Sequence, residues 1–345
     1  MKVAFFVYPS AFQSPGGGEI LLLKTKEALE KKGVEVKLFD QWHDKLKDFD
    51  ILHVFGSVKD CLGLMETAKK LGVKIVLSPI FWSTLQRAIY ESGPFGYKSV
   101  MAMRHMAKVA LPSISSDRRR MLLLADAVVP NSKAELEQVA RLFAIDKEMM
   151  SVVYVGVDEK FAGADPGLFN NKYKVKDFVL SVGRIEPRKN QLNLIKAVKG
   201  LGKKLVLIGD PVPAYNSYYD KCKKAAGADV LFVQRVDHED PVLASAYAAC
   251  SVFILQGWFE TPGLVAMEAG LAGARLAVTS AGSTREYFKD HAEYFNPASP
   301  TSILKALNRA LSRPKSDALS HYLKDNFLWS NSADQNIKVY EKLIK

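Results

Sequence analysis

Long apolar runs are missing from this 345-residue chain, and none approaches the ~18 residues that a membrane span needs. The opening MKVAFFVYPSAF carries one lysine and a six-residue apolar run before Pro9. That is too short for a secretory leader and reads as a first buried strand. Cysteine is scarce. Cys61, Cys222 and Cys250 are odd in number and lack metal-ligand spacing, which points to reduced thiols in a cytoplasmic protein. No basic stretch is interleaved with aromatics, and no helix-turn-helix cue or zinc spacing is present, so nucleic acid is not an expected partner. There is no short-period repeat and no low-complexity tract. A Gly-x-Gly-x-x-Gly turn is lacking as well. The stretch SPGGGEILLL has the wrong spacing, which argues against a dinucleotide-dependent oxidoreductase.

What is present is an ordinary globular composition, 48% hydrophobic and 25% charged, at a length that suits two domains. The net charge is +11 and the pI about 9.3. Residues 1–170 hold 23 Lys+Arg against 20 Asp+Glu, giving +3, and the remainder 25 against 17, giving +8. Such an excess favours anionic partners, among them anionic lipid headgroups and phosphorylated metabolites. Short aliphatic runs alternate with amphipathic stretches throughout. Strands are predicted at KVAFFVY, VEVKLFD, DILHVFG, VKIVLSP, DAVVPN and MSVVYVG, and again at DFVLSVG, KKLVLIGD, DVLFVQ, SVFILQ, ARLAVTS and EYFN. The helix GEILLLKTKEALEKKG has its natural stop at Gly33. Continuous apolar strands alternating with helices predict parallel sheets covered on both faces. Two such series give an α/β protein of two doubly wound, Rossmann-like domains. The first is expected over 1–160 plus 328–345 and the second over 171–327, joined by the polar stretch EKFAGADPGLFNNKYKVK (159–176). Ligands of such sheets sit at the carboxyl ends of the strands, here expected in a cleft between the domains.

Chemistry-bearing residues fall just after predicted strands. In SVGRIEPRKNQ, Gly183 permits a tight turn, and Arg184 and Lys189 are five positions apart. A guanidinium fork and an ammonium point charge suit a diphosphate, although an isolated Arg-Lys pair is ordinarily a solvated basic loop. In GWFETPGLVAMEAGLAG, Pro262 fits a first helical position, which leaves the amides of Gly263, Leu264 and Val265 as an anion site. Glu260 precedes that helix and Glu268 lies within it. Compensation of the helix dipole explains Glu260 but not Glu268, which a mostly apolar helix buries. Two carboxylates near a diphosphate make sense if they face the neutral, hydroxyl-rich ends of the same ligand.

Together, GRIEPRKNQ and ETPGLVAMEAGLAG resemble the retaining glycosyltransferases of family four, which have the GT-B fold. The family's marker is a pair of glutamates eight apart around a Gly-Leu helix start, matched by Glu260, Gly263, Leu264 and Glu268, and its Gly-Arg…Lys set is matched by Gly183, Arg184 and Lys189. PGGGE (Pro15 to Glu19), VVYVGVDEKF and the final NFLWSNSADQNIKVYEKLIK resemble further family segments. The resemblance implies transfer of a sugar from a UDP- or GDP-linked donor to a glycan or lipid-linked acceptor with retained configuration, as in cell-surface polysaccharide synthesis. It implies that Arg184, Lys189 and the amides of Gly263 to Val265 neutralise the diphosphate. Glu268 would hold the ribose, Glu260 the sugar, and Gly17 and Gly18 would let the backbone approach the donor. No cofactor and no metal are expected. DFD (Asp48 to Asp50) stands before a strand and reads as a solvated entry.

There are departures. Thr261 and Pro262 replace the apolar residue the family places before the glycine. LSPIFWS lacks a histidine, for which His53 is a candidate substitute, though a lone strand histidine is more often packing. Arg235 stands where a glycine is common and is a candidate contact to base or phosphate. Arg285 and Glu286 are either near the phosphates or a surface pair. A noncatalytic GT-B relative that binds nucleotide sugars is the alternative reading. Residues 83–124 are expected to be helical. Between Arg87 and Arg120 they mix seven Lys+Arg with two acids, and Met101, Met103, Met106, Val109 and Leu111 lie among them. This predicts either an interfacial helix drawn to anionic lipid, with peripheral attachment to the inner face of the plasma membrane, or a surface helix whose methionines enter the core.

Overall fold

The computed structural model of the protein describes residues 1–13, 16–85 and 95–345. Pro15, Arg87 and Glu91 lie outside the described residues. The chain divides into two compact units: 1–85, 100–156 and 327–345 form the first, and 86–99 and 157–326 the second.

The first unit carries a five-stranded parallel sheet in the order β2-β1-β3-β4-β5. Its strands are β1 (Lys2–Val7), β2 (Glu35–Leu38), β3 (Ile51–Phe55), β4 (Lys74–Ser78) and β5 (Ala127–Val128). β3 is buried at every position because helices cover both faces. The chain returns at its end as the helix Trp329–Ile344, which puts Ala333, Val339 and Tyr340 into the same core as Phe5 and Leu22.

MSVVYVG is not a strand. Residues 151–156 make no ladder. Ser151 donates to the Val128 carbonyl and Val153 to the Pro130 carbonyl, and Pro130 has no N–H to return. The predicted helical stretch 83–124 is also interrupted. It contains the helices Phe95–Ala110 and Asp117–Leu124, separated around Pro112, and the second is capped by Ser116, whose Oγ accepts from Arg119 N.

The second unit carries a six-stranded parallel sheet in the order β11-β10-β9-β6-β7-β8. Its strands are β6 (Phe178–Val182), β7 (Lys204–Ile208), β8 (Val230–Val233), β9 (Val252–Leu255), β10 (Leu276–Thr279) and β11 (Ala292–Phe295). The stretch 159–176 is structured rather than a loose joint. It contains a 3-10 turn at Glu159–Phe161 and the helix Gly167–Tyr173, and Phe161 and Phe169 are buried. From β6 the chain adds β7 and β8 on one side, then crosses to place β9 on the other. The loops after β6 and β9 therefore lie side by side where the winding reverses, the position at which such sheets bind ligands.

Candidate functional site

The β6 exit loop is shaped by two residues with positive φ. Gly183 (φ +148) turns the chain, and Asn190 (φ +56) starts the helix Gln191–Val198 after a 3-10 turn at Pro187–Lys189. Asn190 Nδ2 donates to the carbonyls of Gln256 (3.2 Å) and Pro297 (2.8 Å), which fastens this loop to the β9 exit. Trp258 adds two more ties: its N–H donates to the Arg188 carbonyl (3.1 Å) and its indole Nε1 to the Pro187 carbonyl (3.0 Å). Buried Glu186 receives Arg188 at 3.4 Å and Arg184 at 3.6 Å. The Arg184 side chain is 43% exposed, so it stands at the solvent side of the loop.

Glu260 is held through its backbone. Its N–H donates to the Ala281 carbonyl (3.2 Å) and its carbonyl accepts from Ser283 N (3.0 Å). A Cβ on Gly282 would collide with the Glu260 backbone, so only glycine lets the two segments pass. Pro262 is not at the first helical position. It follows a cis Thr261–Pro262 bond, and Gly263, in the left-handed region at φ +92, is the residue that turns the chain into the helix Leu264–Leu271. Pro262 therefore stands one residue before the cap, and the αL turn that the helix entry needs falls to glycine. The first helical hydrogen bond runs from Ala266 N to the Gly263 carbonyl (2.9 Å), which leaves the amides of Leu264 and Val265 ahead of it in the first turn.

The two loops meet in one ion pair. Lys189 Nζ donates to Glu260 Oε1 at 2.6 Å, with both side chains largely buried. A Cβ on Gly183 would sit 3.7 Å from Lys189 Cε, and one on Gly263 3.8 Å from Glu260 Cβ, so Gly183, Lys189, Glu260 and Gly263 are one cluster. Burial pushes the Lys189 ammonium below its ordinary value, opposed by the Glu260 carboxylate. An ammonium has three donors, and one is on Glu260.

Glu268 is buried on the helix Leu264–Leu271, and both of its oxygens are engaged. His238 Nε2 lies 3.0 Å from Oε1, and the Tyr247 hydroxyl donates to Oε2 at 2.7 Å. The hydrogen bond to Glu268 raises the His238 imidazole above its ordinary value. Sequence reasoning singled out neither partner. A buried carboxylate requires donors, and VDHEDP, the loop before the helix Pro241–Ala249, was the place to look for one.

Arg235 is exposed beyond β8, at the edge of the sheet, where its N–H donates to Asp210 Oδ1 (3.0 Å). The Arg285 guanidinium lies 4.1 Å from the Tyr294 ring centroid. Gly17 and Gly18 open the helix Gly17–Lys31 in the first unit, with nothing within 4 Å of a Cβ built on either.

His53 is 1% exposed. Its Nδ1 meets the Tyr340 hydroxyl at 2.6 Å, its Nε2 meets Ser78 Oγ at 2.9 Å, and its ring stacks on Phe55. It serves the packing of the first unit. Among the described residues no three His, Cys, Asp or Glu side chains converge as metal ligands do, and no helix is long and apolar enough to cross a membrane.

On the helix Phe95–Ala110 the expectation that the methionines enter the core is not met at two positions. Met103 and Met106 are 62% and 55% exposed, and Val100, Val109 and Leu111 are exposed beside them, so the methionines Met103 and Met106 do not enter the core. The Lys108 ammonium instead faces inward over the rings of Phe81 and Phe143.

Residues 169–326 match the family described as Glycosyl transferases group 1. A D-inositol 3-phosphate glycosyltransferase of Stackebrandtia nassauensis is 25% identical over 320 residues, 81% of this chain and 71% of its own length. The serotype-specific mannosyltransferase WbdA of Escherichia coli is 26% identical over 242 residues, 64% of this chain but only 29% of its own length. Among solved structures, HepE of Anabaena in complex with UDP and glucose superposes with a TM-score of 0.75 at 16% identity, covering 99% of this chain and 100% of that one. Sucrose-phosphate synthase of Thermosynechococcus elongatus gives 0.75 at 17% identity, covering 99% of each. The matched segment holds the Lys189–Glu260 pair and Glu268, and the likeness in fold runs the whole length. Residues 169–326 are thus similar to the Glycosyl transferases group 1 family, and the chain has a GT-B fold of two parallel-sheet, Rossmann-like domains.

Proposed function

We propose that this protein is a retaining, metal-independent glycosyltransferase that moves a hexose from a UDP- or GDP-linked donor to a glycan or lipid-linked acceptor in cell-surface glycan synthesis. The observation that carries the reading is the buried Lys189–Glu260 pair, set where the loops after β6 and β9 meet. Lys189 keeps donors for phosphate oxygens while its partner Glu260 keeps acceptors for sugar hydroxyls, so the pair spans the bond that breaks. Arg184 and the amides of Gly263, Leu264 and Val265 add to the field on the departing diphosphate, where charge grows in the transition state. Glu268 takes the ribose. The acceptor oxygen bonds to the anomeric carbon as the carbon–phosphate oxygen bond breaks, on one face, and the acceptor's proton passes to the leaving diphosphate. HepE, solved with UDP and glucose, supports a uridine donor by likeness of fold alone.

The deciding experiment screens UDP- and GDP-hexoses for transfer and for slow hydrolysis, with and without a chelator. Glu260→Ala should slow turnover while leaving nucleotide binding nearly intact, and Glu268→Ala should weaken nucleotide binding. Full turnover in both variants would refute the assignment.

The outward apolar face of the helix Phe95–Ala110, with Met103 and Met106 exposed, supports a peripheral membrane contact that presents a lipid-linked acceptor. Flotation with anionic liposomes at low salt tests it, and Met103→Ser with Met106→Ser should abolish the floated fraction.

A further inference from the structure

Glu268 is the ribose ligand of the reading above, and its carboxylate is held at both oxygens. A carboxylate has roughly four lone-pair sites, two on each oxygen. Here His238 occupies one site on Oε1 (3.0 Å) and Tyr247 one on Oε2 (2.7 Å). That leaves one site on each oxygen, and a vicinal diol has two O–H groups with which to fill them. With both oxygens pinned, the carboxylate cannot rotate away from that presentation.

The two clamps are themselves built in. Tyr247 is fully buried on the helix Pro241–Ala249, edge-on to Phe161 (5.7 Å) and Phe253 (5.6 Å). His238 lies in the loop before that helix, edge-on to the same Phe161 at 5.2 Å. Its second nitrogen, Nδ1, faces Lys160 Nζ at 3.1 Å and Glu239 Oε1 at 3.2 Å. A neutral ring accepts there from Lys160, and a protonated ring donates there to Glu239. In both states Nε2–H remains on Glu268, so the clamp survives a change of charge on the imidazole.

We propose that His238 is a positioning residue that, with Tyr247, fixes the Glu268 carboxylate for two-point capture of a nucleotide's ribose diol and so makes the site select ribonucleotides over 2′-deoxyribonucleotides. A site built to hydrogen-bond a hydroxyl rejects the analogue that lacks it, whereas a carboxylate free to swing away loses that penalty. The proposal rests on Glu268 as the ribose ligand, and the experiment separates the two.

The test measures dissociation constants of the full-length protein for UDP against 2′-deoxy-UDP and for GDP against 2′-deoxy-GDP. The wild type should favour the ribonucleotide of its preferred base by about tenfold or more, the scale of one hydrogen bond to a charged group. His238→Ala and His238→Phe should bring the ratio to about twofold or below, chiefly by weakening the ribonucleotide. The phenylalanine keeps the packing on Phe161, so its failure cannot be assigned to a lost ring. His238→Gln, whose amide N–H can reach Glu268, should restore most of the discrimination, which a merely structural role would not produce. If both His238→Ala and His238→Phe keep the wild-type ratio while Glu268→Ala loses it, His238 does not position the carboxylate and the proposal is overturned alone. If the wild type itself shows no ribose preference, Glu268 is not the ribose ligand, and both readings fall together.

Discussion

Lys189 and Glu260 are each other's principal partner, so neither can be removed cleanly. Breaking a largely buried ion pair by deleting one member leaves a charge without compensation, at a cost of about 3–5 kcal/mol. Lys189→Met should therefore both abolish donor binding and lower the urea midpoint. Lys189→Met with Glu260→Gln should recover most of the midpoint and none of the binding. A second residue-scale prediction concerns two buried groups around one small cavity in the first unit, whose lining includes His53, Ser78, Asn131 and Glu135. Burial holds the His53 imidazole down to about 3 and pushes the Glu135 carboxyl up to about 7. The signs oppose. A depressed histidine costs native stability as pH falls below its unfolded value of 6.5, because the unfolded chain takes the proton and the native chain does not. A raised carboxyl does the reverse, and stability is recovered as pH falls from about 7 toward 4.5. Each slope is on the order of 1 kcal/mol per pH unit and they have opposite sign, so between pH 6.5 and 4.5 they offset one another. His53→Gln should unmask the Glu135 term: the first unit should gain about 1 kcal/mol per unit on acidification toward pH 5, read by urea unfolding against an unchanged wild type. A flat profile in the variant would refute the assignment.

At the scale of elements, the strands were legible because a strand buried on both faces must be a continuous aliphatic run, as in ILHVF of β3 and VFIL of β9. The exception, MSVVYVG, has the same composition, but its neighbour Pro130 cannot complete a ladder, and pattern alone does not weigh the partner strand. The site was legible as residue types and not as contacts. Lys189 and Glu260 are 71 positions apart and meet only because β9 lies beside β6, which strand order decides and local sequence does not. His238 and Tyr247 stand 30 and 21 positions from Glu268, beyond any helical spacing. The segment 153–156 gives this scale its own test. A Cβ on Gly156 would lie 2.5 Å from the Trp329 Cα, at the start of the helix Trp329–Ile344, so backbone meets backbone there. Gly156→Ala must push that helix off its seat on the first unit's core, which should cost about 1–3 kcal/mol in chemical denaturation. If the variant is as stable as the wild type, the close approach is not a feature of the folded chain.

For the molecule as a whole, two sheets each with its own core and a charge of +11 are compatible with several anionic small molecules, and only the site decides among them. A nicotinamide dinucleotide and a nucleoside diphosphate both present a pyrophosphate to a switch point between parallel strands. They differ in what flanks it. The dinucleotide asks for a glycine-rich turn that lets the backbone touch the pyrophosphate, whereas the loops after β6 and β9 offer an ammonium–carboxylate pair and the start of one helix. A ligand that binds only the folded chain stabilises it by RT ln(1 + [L]/Kd), about 2.7 kcal/mol at a hundred times Kd. For units of this size that is a rise of roughly 5–10 °C in the melting temperature. UDP or GDP should produce it and NAD should not. In Lys189→Met the nucleotide shift should vanish, because the ammonium proposed to meet the diphosphate is gone. A shift with NAD alone would mean that the Lys189–Glu260 pair is a structural ion pair and that the diphosphate of a nucleotide sugar is not what the second unit binds.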